Sequence, residues 1–292
     1  MQLGEQLALS AAFVWSVAVI LIRLSGLELG ALPLTIFKSG VAALAFFITT
    51  PFLTSATWPQ LSWHEWSILV VSGILGISIA DTMVVAALNR LGASLHALAD
   101  CLYTPSMAMI GYLLFGENLN GWEVLGGMLV VGGVGFGMRL TKEVPSKRAL
   151  LSGVALAAGA HIIMAVGILI ARDIYAQHSV VWVSGVRFAV ATLVLILYAF
   201  LKGQSRAVFE GIRRRDLWKW TIPLSLLGPY LATMFWALGF VYTKAGRAAV
   251  FNQMSTVFIT VLAIVVLKES LNTRKMAGLF LAVLGSIVVA NS

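Results

Sequence analysis

Charge is scarce in this chain. Of 292 residues only 11% are charged, against about a quarter in a soluble domain, while 60% are hydrophobic and the mean hydropathy is +0.94. That balance excludes a water-soluble core with a polar shell and defines a polytopic membrane protein. Cysteine is almost absent, and the lone Cys101 cannot form an intrachain disulfide. His64, His96, His161 and His178 show no metal-ligand spacing with one another or with Cys101. No Gly-Lys dipeptide occurs, so there is no phosphate-binding Walker loop, and neither His-Glu-x-x-His nor Gly-x-Ser-x-Gly is present. No cofactor or metal is therefore expected, and the chain does not itself use ATP.

The net charge of +8 does not point to nucleic acid, because the cations fall in short loops between apolar runs rather than in a basic domain. Those runs, about twenty residues long and sufficient for roughly 30 Å of hydrocarbon, occur ten times. They lie near Gly4 to Leu24, Pro33 to Leu53, Trp66 to Leu88, Ala93 to Phe115 and Trp122 to Met138, then Ala149 to Ala171, Val180 to Leu201, Leu217 to Val241, Ala245 to Leu267 and Met276 to Ala290. The first run has no basic leader and carries Glu5, so it is expected to be a retained helix. The expected fold is all-α, with ten transmembrane segments numbered here in chain order.

The second half repeats the first. Glu117-Asn118-Leu119-Asn120 aligns with Glu269-Ser270-Leu271-Asn272, Gly126 with Gly278, Gly133 with Gly285, and Leu75-Gly76 with Leu227-Gly228, all 152 positions apart. This predicts repeats of five helices at residues 1–143 and 144–292 with the working site between them. The loops after segments 1, 3, 5, 7 and 9 hold fifteen Lys and Arg, among them Arg23, Arg90, Lys142, Arg213, Arg214 and Arg215. The other side has only Arg172, Lys244 and Arg247. By the positive-inside rule the rich side is cytoplasmic, which places both termini outside an inner (plasma) membrane and inverts the two repeats. The longest connection, Lys202 to Asp216, reads as an interfacial basic segment.

Pro105 in segment 4, Gly116-Glu117 closing it, Gly126 and Gly133 in segment 5, Arg187-Phe188-Ala189 in segment 7, Lys268-Glu269 closing segment 9, and Gly278 and Gly285 in segment 10 together carry a family resemblance. Across nearly its whole length the chain resembles the drug/metabolite transporter superfamily, and within it the EamA-type ten-helix carriers. Lys38-Ser39 stands where such families often have Arg-Phe, Thr256-Val257 where a proline would mirror Pro105, and the charge bias reverses the termini-in arrangement usual for ten-helix members. The resemblance implies a carrier of a small metabolite that works by alternating access, often exporting amino acids or related compounds.

Ionisable side chains inside hydrocarbon cost about 2.5–3.5 kcal/mol each, so those retained pair or line a wet pathway. Lys38, Asp81, Asp100 and Arg187 are the four that stand out. Asp81 and Asp100 each lie about seven residues from the same face, some 10 Å deep, and Lys38 enters from that face, so the three are expected to meet. Two arrangements fit: a proton-coupling carboxylate with Lys38 on an anionic substrate group, or an internal ion-pair network. Toward the other face, Asn252 replaces Asp100 at the repeat offset, Gln253 follows, and Arg187 approximates Lys38. Arg187 either binds a substrate carboxylate, or snorkels or pairs with Asp173. His161, near the middle of segment 6, either relays protons or hydrogen-bonds a substrate, or is a core histidine bonded to a carbonyl. Trp15, Tyr103, Tyr230 and Trp236 are candidate cavity aromatics, with packing as the alternative. Pro105 and Pro229 are hinges or static bends. Gly133-x-x-x-Gly137 allows close helix contact, between repeats or between subunits of a homo-oligomer. The partners expected are thus the bilayer, a small-molecule metabolite and protons. The alternatives to a carrier are a lipid or channel-type permeation protein and an intramembrane enzyme using Asp81 and Asp100.

Overall fold

The structure, a computed structural model, describes residues 2–54, 59–141, 144, 146–243, 245–270 and 272–291. Lys142, Lys244 and Leu271, named above, lie outside them, as does residue 143 at the expected repeat boundary. The described residues contain no strand. The main helices are α1 (Leu3–Leu29), α2 (Ala31–Leu53), α3 (Trp63–Leu91), α4 (Ala93–Phe115), α5 (Gly121–Gly137), α6 (Lys147–Leu169) and α7 (Val180–Leu201). The eighth, α8, runs through Trp218–Ser225, Leu226–Ala232 and Thr233–Tyr242; α9 is Ala245–Val265 and α10 is Thr273–Asn291. Every apolar run read from the sequence falls on one of these helices. Eight are long and apolar enough to cross a membrane, while α5 and the apolar stretch Val250–Val265 of α9 are shorter. The fold is that of a multi-pass membrane protein.

Local chemistry sets where several helices start. Asn120 Oδ1 accepts from Trp122 N (2.9 Å) and Glu123 N (3.0 Å), and Glu123 Oε2 accepts from Asn120 N (2.7 Å), closing a capping box on α5. Ser146 Oγ caps α6 through Ala149 N (3.1 Å). Short amphipathic Ser205–Arg213 fills the basic connection, with Val208 packed on Ile36, Leu195 and Ala199. Outside the spans, hydrogen bonding to Glu210 raises the pKa of Arg206, and hydrogen bonding to Asp216 and then Glu28 raises that of Arg214.

The helices pack across the repeats in matched pairs. α2 lies on α7 and α5 on α10, while α1 packs on α8 and α9 just as α6 packs on α3 and α4. The α5–α10 contact is built on glycine. A Cβ at Gly126 would sit 2.7 Å from the Gly285 carbonyl oxygen, and one at Gly133 2.7 Å from that of Gly278. The close glycine contact therefore joins the two repeats.

Two irregularities position the site. Helices α3 and α8 each contain a π-helical stretch, Ile74–Ile79 and Leu226–Ala232, starting at the repeat offset. Such widened turns free backbone carbonyls and re-aim side chains inward. In the second of them Pro229 also removes an N–H. Helix α4 is interrupted at Cys101 and Leu102, between Ala93–Asp100 and Tyr103–Phe115. Pro105 is the third residue of the new helix, where its missing N–H would have had no intrahelical partner. The break is already in place around it, while α9, with Val257 at the matching position, runs unbroken.

Candidate functional site

A cavity of about 300 Å³ lies between the repeats, lined by both π-helical stretches, by the break in α4 and by α1, α2, α6, α7 and α9. Trp15, Lys38, Asp81, Asp100, Tyr103, His161, Arg187, Trp236, Asn252 and Gln253 all face it. Tyr230 does not; it packs edge-on against Phe46 with ring centroids 4.9 Å apart.

The charged residues divide differently from the expected trio. Lys38 on α2 is 1% exposed and forms an ion pair with Asp81 on α3. Asp100 instead takes two imidazoles. His96 Nε2 stands 3.3 Å and His161 Nε2 3.2 Å from the same oxygen, Asp100 Oδ1. The reason is register: Asp100 is the last residue before the helix break, and His96 lies one turn earlier on its own helix. His161 arrives from α6 across the cavity and meets a carboxylate, not a backbone carbonyl. The Tyr103 ring lies 6.0 Å from its ring. His96 was missed by the sequence reading, although the His96-x-x-x-Asp100 spacing carries the signal.

Arg187 has no acidic partner among the described residues. It is 4% exposed. Its Nη1 donates to Tyr175 Oη at 2.8 Å, its Nη2 to the Ser72 carbonyl at 3.5 Å, and its Nε has no hydrogen-bond partner. Asp173 lies against Arg172 instead (3.6 Å), and Arg187 is buried rather than snorkelled. Tyr175, on the short helix Arg172–Gln177, and Ser72 were not foreseen, since only the fold brings them together. Gly76 leaves room for the guanidinium, since a Cβ there would sit 2.7 Å from Arg187 Nη2 and push it aside. On α9, Gln253 Nε2 donates to Thr256 Oγ1 at 3.0 Å and approaches Cys101 Sγ at 3.2 Å, while Asn252 Nδ2 is buried without a partner.

The site thus offers an internally neutralised Lys38–Asp81 pair, a carboxylate bracketed by two imidazoles, and a guanidinium and an amide with spare donors. An aspartyl catalytic pair is not formed, because Asp81 is committed to Lys38 and Asp100 to the histidines. A bundle of apolar helices around a charged cavity between two repeats is an architecture that membrane transporters use. The profile of the EamA-like transporter family matches residues 2–138 and again 151–291, and the chain belongs to that family. Among curated proteins it is 27% identical over 108 residues to an uncharacterized transporter of Archaeoglobus fulgidus; the match covers 37% of this chain and 36% of that protein. A solved crystal structure shares the fold with a TM-score of 0.68 at 18% identity, covering 98% of this chain and 95% of that one.

Proposed function

We propose that the protein is a secondary active carrier of the inner (plasma) membrane. It moves a small polar or amphipathic metabolite bearing a carboxylate, an amino acid or related compound, outward by alternating access. The observation that carries this reading is Arg187, a buried guanidinium on the cavity wall whose Nε has no hydrogen-bond partner and which has no acidic side chain beside it among the described residues. A buried cation left uncompensated is costly, and a substrate carboxylate relieves that cost through bidentate hydrogen bonds. Asn252 Nδ2 is a further open donor, and Trp15, Tyr103 and Trp236 supply apolar and aromatic wall. Asp100, between His96 and His161, is the proton-coupling group.

Untargeted mass spectrometry of medium and cell extract tests this, comparing wild type with Arg187→Ala and Arg187→Lys at equal membrane abundance. Compounds that accumulate outside with wild type are expected to carry a carboxylate. Two charge-assisted hydrogen bonds at roughly 1.5 kcal/mol or more each imply a fall of about a hundredfold in transport for Arg187→Ala. Arg187→Lys keeps the charge, loses the fork and retains part of the activity. A wild-type substrate without an acidic group, or full activity in Arg187→Ala, would overturn the assignment.

A further inference from the structure

Helices α4 and α9 end alike. Gly116 (φ 66°) and Lys268 (φ 57°) are both left-handed, at the repeat offset. The next amide then turns back in each case, Glu117 N to Gly111 O (3.3 Å) and Glu269 N to Ala263 O (3.1 Å). The two glutamates leave matching backbones, yet their side chains have different partners.

Glu269 is 6% exposed and crosses to the first repeat. It accepts from Ala93 N (2.7 Å), Ser94 N (2.9 Å) and Ser94 Oγ (2.5 Å), capping the open first turn of α4. Lys275 Nζ braces the same hydroxyl at 2.8 Å. Gly92 (φ 76°) permits the approach, since a Cβ there would lie 2.9 Å from Glu269 Oε1. About one turn beyond the cavity-lining Lys38, Val84 and Thr256, the fully buried Leu34, Leu88 and Ile259 pack in one apolar cluster. Fully buried apolar side chains thus lie between the cavity and the basic face, beside the Glu269 cap.

Glu117 does not mirror this. Its side chain is 52% exposed and receives Arg172 Nη1 at 2.7 Å, with the Arg172 guanidinium over the Phe115 ring at 4.4 Å. On this opposite face the cavity reaches Tyr175 in the connection between α6 and α7.

We infer that Glu117 and Glu269 are paired latches, each sealing one face by capping the first turn of a helix in the other repeat. Glu269 is engaged in the state described. When the opposite face closes, Glu117 leaves Arg172 and caps the start of α9 at Ala245 and Gly246, the counterparts of Ala93 and Ser94. Gly246 offers an amide but no hydroxyl, so that latch has one bond fewer and the state closed at the basic face is favoured at rest. This assignment rests on the alternating-access mechanism proposed above.

Spin-label distance measurements on the full chain in lipid nanodiscs test it, with Cys101→Ser throughout. One label pair replaces the exposed Arg90 and Arg274 on the basic face, and another the exposed Asn118 and Tyr242 on the opposite face. Losing hydrogen bonds to a charged group shifts a two-state ratio about tenfold or more. Glu269→Ala is expected to open the basic face by such a shift, Ser94→Ala to do so less, and Arg172→Ala, which frees Glu117, to raise the population closed at the opposite face. Should Glu269→Ala not fold, the other two variants carry the test. A wild type with two populations that none of these variants moves would overturn the latches alone. A wild type with one fixed distance at each pair, in acidic and alkaline buffer alike, would overturn alternating access and the latches with it.

Discussion

Lys38 and Asp81 illustrate how a buried pair constrains substitution. Removing one partner leaves a desolvated charge, at a cost of about 3–5 kcal/mol, whereas removing both is nearly neutral. Lys38→Met is therefore expected to lower thermal stability in detergent sharply, and Lys38→Met with Asp81→Asn to recover most of the loss; equal destabilisation in single and double variants would mean that an unpaired charge is not what destabilises the single variant. Asp100 behaves differently, because its partners are titratable. Asp100→Asn is expected to leave folding intact and to abolish the dependence of transport on the pH gradient, with Asp81→Asn as a contrast that fails through stability instead. Intramembrane charge made Lys38, Asp81, Asp100 and Arg187 legible in the sequence, since apolar helices tolerate such residues only for a reason. Their pairing was not legible. Depth along a helix placed Asp81 and Asp100 at one level, but rotation about the helix axis decides partners, and on helices apolar on most faces no stripe reveals that rotation.

At the scale of the helix, the strongest constraint is the glycine contact between α5 and α10. Gly133→Val would drive a side chain into the backbone of Gly278 and Ala282, for which overpacking costs about 1–3 kcal/mol; thermal unfolding in detergent should show the loss, while Gly132→Val, with nothing near its Cβ, should not. Lys268 supplies a test of opposite sign. It holds the left-handed conformation that Gly116 holds in the other repeat, at a strain of roughly 1–2 kcal/mol for a side chain. Lys268→Gly is accordingly expected to raise the unfolding temperature by relieving that strain, or at worst to leave it level after the entropy glycine adds to the unfolded chain. Helix lengths and the punctuation by Gly116 and Glu117 could be read in advance. The interruption of α4 could be read only in part, because Pro105 marks the neighbourhood but the break falls at Cys101 and Leu102, where the proline ring crowds the carbonyl four residues back.

At the scale of the whole molecule, the two repeats explain why the cavity is built from both halves. Helix α1 leans on α8 and α9 as α6 leans on α3 and α4, and the π-helical stretches of α3 and α8 both line the site. The repeat was legible from Glu117 and Glu269 at their fixed offset, yet the differing contacts of those two glutamates were not, because identical residues in two repeats report the symmetry of the fold and not the asymmetry of one conformational state. Orientation is the remaining property carried by the molecule as a whole, and it rests on cations rather than on packing. With Arg213, Arg214 and Arg215 concentrated in one connection, the basic face is expected to be cytoplasmic and both termini outside. A reporter enzyme active only outside the membrane, fused after residue 292, should then be active, and a fluorescent protein that matures only in the cytoplasm should stay dark. Neutralising those three arginines to glutamine removes a fifth of the fifteen cations on that face; it is expected to move a measurable fraction of molecules to the reverse orientation, turning the outside reporter down and the cytoplasmic one up in the same cells. A wild type already bright in the cytoplasm and silent outside would reverse the assignment, and with it the direction in which the latch of Glu269 faces.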